Sequence, residues 1–345
     1  MNDQKRISIN LTKQKEKNMS ASELQVSIVI VCMNNLKNLY PCLNSIRKYT
    51  SVTYETFVVA YLFSKDNFEQ VRRDFPWVTF IESNEIRGFS ENNNLALRQA
   101  KGKYCFVVND DTEMKMPVID RLVESFDRCP QNTAVVSPSI LNYKGEVSVC
   151  GRPQITLKRY ILKMFMLWNE QKDKRYINKP GLFKTYNLIG AAFMIKTEVF
   201  RNVGWFDEYY FFCPEDIALS TELNEKGYSC YVDSDTTIYH YEGMSGKSLS
   251  LIQTATKPAA TLGEITFFSK GNKWIKFLLR CIILISLPLK YMYHSIKSLL
   301  AKRPNVNSVL ARGDINCIYA CLTRKTPKEI FTTYYLRIKE KQNRR

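Results

Sequence analysis

The chain has 345 residues, of which 45% are hydrophobic and 24% charged, enough to bury a large core as one big domain with an appendage, or as two domains. Its net charge of +17 is concentrated: from residue 270 onward 17 Lys or Arg stand against 3 Asp or Glu, so the preceding bulk is nearly neutral. Ten scattered cysteines without a CxxC pair, together with only two histidines, argue against a zinc finger, and the polar residues 1–23 contain no apolar signal-peptide core, which points to a reducing, cytoplasmic setting.

Residues 1–24 read as a flexible lead. An apolar strand at 26–33 is followed by a helix at 36–49, with Leu39, Leu43 and Ile46 on one face. A strand at 55–62, a helix at 68–75, a strand at 77–81 and a helix at 90–100 come next. They lead to the short β-branched run at 104–108, a helix at 118–129 and a strand at 134–136. Strands and helices alternating at this spacing predict a parallel sheet with crossover helices.

The rhythm then changes. An aromatic, basic helix is expected at 160–174 and an apolar strand at 188–195. A helix at 214–226 is closed by Gly227, and short strands follow at 229–232 and 237–241. Residues 274–293 have a purely apolar centre, 281–287, much shorter than the roughly 20 residues of a spanning helix. Aromatic and basic borders suit a helix lying in a membrane interface, and the plainer alternative is a buried helix with cationic edges. The basic tail suits anionic lipid or nucleic acid.

Asn109-Asp110-Asp111 directly follows the strand at 104–108. Taken alone, the triplet reads as an Asp-rich turn. Two adjacent carboxylates at a strand's carboxyl end also suit a hard divalent cation carrying a diphosphate, because Mg²⁺ takes one or two carboxylates plus phosphate oxygens. Four further segments invite a catalytic reading. Arg87-Gly88 with the amides at 92–94 suits a nucleotide, although Ser90 is also a good helix cap. Gly190-Ala191-Ala192 leaves room for a sugar or, equally, for tight packing. Glu215 and Asp216 follow Pro214 as ordinary helix-start residues, and the same position stabilises an ionised general base. His240 is by default structural, and in the sharper reading it ligates the same metal.

In order along the chain, these segments resemble glycosyltransferase family 2, the inverting nucleotide-sugar transferases of GT-A fold, particularly the bacterial rhamnosyltransferase-like members. The resemblance spans about 26–246 and adds the segments at 134–138, 190–194 and 204–208, Gly227-Tyr228, and His240 with Gly243 and Ser245. It implies a Rossmann-like α/β GT-A domain over 25–250, with a mostly parallel sheet flanked by helices. A basic, partly amphipathic helical region over 251–345 would associate with membrane.

The resemblance also implies site roles. Asp111 would ligate Mg²⁺ or Mn²⁺, with His240 completing the shell and Asp110 near the ribose or metal. Asp216 would be the general base, and Glu215 would hold the acceptor or orient the base. Asn34, Arg87, Gly88 and Asn93 would line the nucleotide pocket. The implied activity moves a sugar from a nucleoside-diphosphate sugar, dTDP-rhamnose and UDP-hexoses among the candidates, to a hydroxyl of a saccharide or lipid-linked saccharide in cell-surface polysaccharide biosynthesis. The enzyme would be peripheral on the inner face of the cell membrane, with nucleic acid not expected as a partner.

Three positions depart from the family pattern. Ala60-Tyr61 stands where the second strand usually ends in a base-reading Asp, Asn109 opens the metal motif, and Ala218 follows Asp216 where an acid is common. The rival readings are a sugar nucleotidyltransferase and a catalytically degenerate, scaffold-like or binding protein. The segment at 32–37 has no glycine, which argues against the nucleotidyltransferase phosphate loop.

Overall fold

The computed structural model describes residues 24–241, 251–301 and 305–343. Residues 1–23 of the expected lead, with Gly243 and Ser245, lie outside the described residues. The first half follows the expected alternation: β1 (Val26–Cys32), α1 (Leu36–Tyr49), β2 (Tyr54–Tyr61), α2 (Lys65–Asp74), β3 (Thr79–Ser83), α3 (Phe89–Leu97) and β4 (Tyr104–Val108). β1 pairs in parallel with β2 and β4, and β2 with β3. The chain therefore runs outward from β1 to β3 and then crosses back to the other side of β1. Such a reversal opens a crevice beyond the carboxyl ends of the two strands that flank it, β1 and β4.

The second half comprises β5 (Thr112–Glu113), α4 (Val118–Arg128), β6 (Thr133–Leu141), α5 (Leu157–Met164), β7 (Leu182–Thr185), β8 (Ala192–Lys196), α6 (Thr197–Asn202), α7 (Glu215–Glu225) and β9 (Ser229–His240). The sheet order is β3-β2-β1-β4-β8-β6-β9-β5, with β7 on β9. In this half the sheet is mixed rather than parallel. β8 is antiparallel to both β4 and β6, and β9 is parallel to β6 but antiparallel to β5 and β7. The excursion after β6 brings the chain back at the sheet edge where β6 ended, so β8 must run in reverse.

Side chains of β1 and β4 alternate between two cores. Ile28, Ile30, Phe106 and Val108 enter one, and Val29, Cys105 and Val107 the other. With both faces covered, all five residues of β4 are buried, which explains its uninterrupted apolar run. All ten cysteines are free thiols.

Three expected elements differ. The helix expected at 160–174 is only α5, because Met166 takes a left-handed conformation (φ 58°) and ends it. Beyond it, Trp168 Nε1 donates to Asp173, which also pairs with Arg159. β8 starts at Ala192 rather than 188. The two strands expected at 229–241 are one 12-residue strand whose pairing with β6 is irregular between Pro138 and Ser139.

After residue 250 come α8 (Gln253–Ser269), α9 (Lys273–Leu300), α10 (Val306–Leu322) and α11 (Pro327–Asn343). α8 is the central helix, burying Ala255, Ala259, Leu262 and Ile265. Gly263 permits its close approach to the sheet domain: a Cβ there would stand 2.5 Å from the Cys213 carbonyl oxygen. Phe331 of α11 packs on Phe211 with ring centroids 4.6 Å apart. The segment 274–293 lies within α9, which begins at the Asn272 cap and buries Leu279, Ile283 and Leu287 against its neighbours. Among the described residues, no helix is long and apolar enough to cross a membrane.

Candidate active site

The crevice at the β1/β4 reversal is a cleft of about 470 Å³. Asn109, Asp110 and Asp111 form one wall, and Arg87, Gly88, Phe89 and Asn92 another. Met33, Asn35 and Tyr61 come from the ends of β1 and β2, while Ile252 caps α8 and Gln253 and Thr256 come from its first turn. A larger cleft of about 580 Å³ lies elsewhere, between α7 and the end of α8, and contains none of the expected site residues.

Asp111 and His240 meet directly, with Nε2 of the histidine 3.1 Å from Asp111 Oδ1. The sheet sets this distance, because Thr112 on β5 is in register with His240 on β9, and Tyr241 N–H donates to the Asp111 carbonyl at 2.9 Å. Burial, with Asp111 beside it, pushes the Asp110 carboxyl up to about 7. Two adjacent oxygen donors and an imidazole suit a divalent cation that completes its shell with phosphate oxygens. Among the described residues, no cluster of three or more His, Cys, Asp or Glu forms a metal cage by itself.

The second carboxylate pair opens α7, where the helix dipole favours negative charge. Asp216 Oδ2 accepts from Arg152 Nη1 at 3.2 Å, and Oδ1 accepts from the Ile217 N–H at 2.8 Å. Glu215 differs: its Oε2 is shut off from solvent with no hydrogen-bond partner among the described residues. Burial, reinforced by Asp216, pushes its carboxyl up to about 8. A carboxyl so raised keeps its proton near neutrality and can act as a hydrogen-bond donor. A Cβ on Gly190 would lie 3.5 Å from Asp216 Cβ, and the next residue, Ala191, accepts from the Asn109 N–H at 2.9 Å. The 190–191 segment thus ties the Asn109–Asp111 triplet to the helix start that carries Asp216.

Other expected residues are placed differently. Asn34 is exposed, and its Oδ1 accepts from Ser64 N–H and Asn67 Nδ2, so Asn35 lines the cleft in its stead. Asn93 is buried and donates to the Phe89 carbonyl; Asn92 is the amide on the cleft wall. Gly88 does line the cleft, yet its lack of a side chain answers another constraint. A Cβ there would collide with the Phe211 main chain, 2.3 Å from its carbonyl oxygen. Arg87 binds Ser83 Oγ and Glu85, while its N–H donates to the Tyr61 hydroxyl.

The sequence reading missed Arg152, Tyr61, and Ile252, Gln253 and Thr256 at the start of α8. Tyr61 had a signal, adjoining the position where a base-reading Asp is usual. The residues at the start of α8 had none, lying beyond the segment that carried the resemblance.

The glycosyl transferase family 2 profile matches residues 27–204, just over half the chain. The chain belongs to glycosyl transferase family 2. This family 2 chain is 25% identical over 158 residues to the O-antigen biosynthesis protein RfbC of Myxococcus xanthus. That match covers 45% of this chain but 12% of RfbC, so most of the relative's length has no counterpart here. In fold, the family 2 chain is similar to GalNAc-T7 crystallised with UDP, GalNAc and Mn²⁺ (TM-score 0.51, 18% identity, 68% of this chain and 47% of that one). It is also similar to the mannosyltransferase PcManGT of Pyrobaculum calidifontis in complex with GDP-Man and Mn²⁺ (TM-score 0.51, 13% identity, 90% and 94%). The expected GT-A architecture, an α/β sheet domain followed by a helical region, is borne out.

Proposed function

We propose that the protein is a metal-dependent, inverting transferase that moves a sugar from a nucleoside-diphosphate sugar to a hydroxyl of a saccharide or lipid-linked saccharide in polysaccharide biosynthesis. The observation that carries this reading is the physical link from Asp111 through Asn109, Ala191 and Gly190 to Asp216, which ties the two carboxylate sites together. Asp111 and His240 would hold Mg²⁺ or Mn²⁺, with Asp110 beside them. A bound cation would stabilise the charge developing on the diphosphate leaving group.

Arg87, Gly88, Asn92 and Tyr61 would enclose the nucleotide. Asp216 would take the proton of the acceptor hydroxyl as that oxygen attacks the anomeric carbon opposite the departing diphosphate. Glu215, protonated near neutrality, would donate a hydrogen bond to the acceptor. The relatives support this reading: the O-antigen name of one points to polysaccharide, and the two solved structures carry nucleotides with Mn²⁺.

The test is transfer from a panel of nucleotide sugars with Mg²⁺ or Mn²⁺, comparing wild type with Asp111→Ala and Asp216→Asn. Turnover of one donor, lost in both variants, is expected. Full turnover without added metal, or in Asp216→Asn, would sink the assignment.

The proposed workplace is the inner membrane surface, reached through α9. Trp274, Leu278, Ile285, Leu289, Met292 and Leu299 share one face and are 49–77% exposed. Lys273 and Lys297 are exposed near its two ends, whereas Lys290 turns inward to Met164. An exposed apolar stripe with a cation near each end fits a helix lying in the plane of an anionic lipid surface.

A further inference from the structure

Arg152 belongs to no motif, yet its side chain reaches Asp216. Nη1 donates to Asp216 Oδ2 at 3.2 Å and to the Leu188 carbonyl at 3.3 Å, while Nη2 lies 4.0 Å from Glu170. Its main chain is pinned to the segment after β7. The N–H donates to Thr185 Oγ1 at 2.9 Å, and the carbonyl accepts from Tyr186 and Asn187 N–H at 3.1 and 2.9 Å. Both members of the Arg152–Asp216 pair are mostly enclosed, with side chains 18% and 17% exposed. With Ile217 N–H on its other oxygen, the Asp216 carboxylate is fixed at both ends, and each oxygen keeps a lone pair for an incoming proton.

We propose that Arg152 is a positioning residue, fixing the Asp216 carboxylate in the orientation in which it meets the acceptor hydroxyl; this rests on the reading of Asp216 as the general base. Nη1 alone bridges Leu188 and Asp216 while Nη2 of the same rigid plane faces Glu170, an arrangement that the point charge of a lysine does not reproduce. Arg152 is also the cation facing two carboxyl groups, Asp216 and Glu170, with Tyr176 the other titratable group facing it; Glu215 and Cys213 face Asp216 from its own segment. Without it these carboxyls lose the cation that favours their charged forms.

The experiment measures steady-state transfer against pH for wild type, Arg152→Gln and Arg152→Lys, with metal-dependent nucleotide binding measured in parallel. Arg152→Gln is expected to lower kcat about 10- to 100-fold by misorienting the base. It should leave donor KM and nucleotide binding unchanged and move the acidic limb of the kcat profile to higher pH. Arg152→Lys should return the limb towards its wild-type position without restoring kcat. Wild-type kcat and limb position in the Gln variant overturn the proposal. So does lost activity with an unmoved limb, which is the signature of a purely structural residue. If the Gln variant does not fold, wild-type kcat in Arg152→Lys overturns it instead. A wild type that neither binds nucleotide with metal nor transfers sugar refutes the underlying site assignment, a result distinct from any produced by the Arg152 variants alone.

Discussion

At the scale of single residues, Glu215 is the most informative group. Its carboxyl is pushed from an ordinary 4.5 up to about 8, chiefly by burial, so the folded chain keeps a proton that the unfolded chain releases across that interval. A carboxyl raised on folding contributes a penalty that is absent below about 4.5, grows as pH rises and levels off above about 8. Glu215→Gln keeps the neutral shape and removes the titration. Urea midpoints at pH 5 and pH 8 should therefore differ less in the variant than in wild type. An equal difference in both proteins would mean that the carboxyl is solvated in the folded chain.

At the scale of elements, the helical region is locked by a buried ion network. Asp314 on α10 is fully buried; it accepts from Lys257 Nζ of α8 at 2.6 Å and sits 2.7 Å from His294 Nδ1 of α9. One carboxylate thus joins three helices. Removing it strands Lys257, so Asp314→Ala should cost about 3–5 kcal/mol, read as a fall in the urea midpoint. Wild-type stability in that variant would show that water replaces the carboxylate.

The outward face of α9 carries a separate prediction. Ile285→Glu with Met292→Glu places two acids in the apolar stripe at positions 65% and 55% exposed, so folding should be unaffected. Co-sedimentation with vesicles containing anionic lipid should fall at least about tenfold, the loss expected when apolar burial and cationic attraction are both weakened. Unchanged sedimentation would remove α9 from the interface.

At the scale of the whole molecule, the helical region and the cleft are one structure. α8 and its cap supply Ile252, Gln253 and Thr256 to the cleft wall. α11 reaches the other side, where Lys328 Nζ binds Glu91 Oε1 at 2.7 Å, and Glu91 in turn accepts from the Gly88 N–H. Truncation after Lys270 removes α9, α10 and α11, including the Phe331 ring packed on Phe211. Such a protein should lose metal-dependent nucleotide binding as well as membrane association. Binding that survives the truncation would show that α8 and the sheet domain hold the cleft unaided.

The sequence by itself determined what is local and periodic. The alternation over 26–136 was legible because each strand is a short apolar run and each helix carries its apolar residues on one face. The carboxylates at 110–111 and 215–216 were legible because a strand end and a helix start are marked by neighbouring residues. Only the tertiary structure decided whatever depends on where the chain returns. The reversal of β8, the turning of Asn34 and Asn93 away from the cleft, and the reach of Arg152 to Asp216 across 64 positions are all set by long-range packing. Gly88 shows the difference most plainly. A glycine in that motif reads as room for a ligand, but the backbone that forbids its side chain belongs to Phe211, brought there by folding from more than 120 residues away.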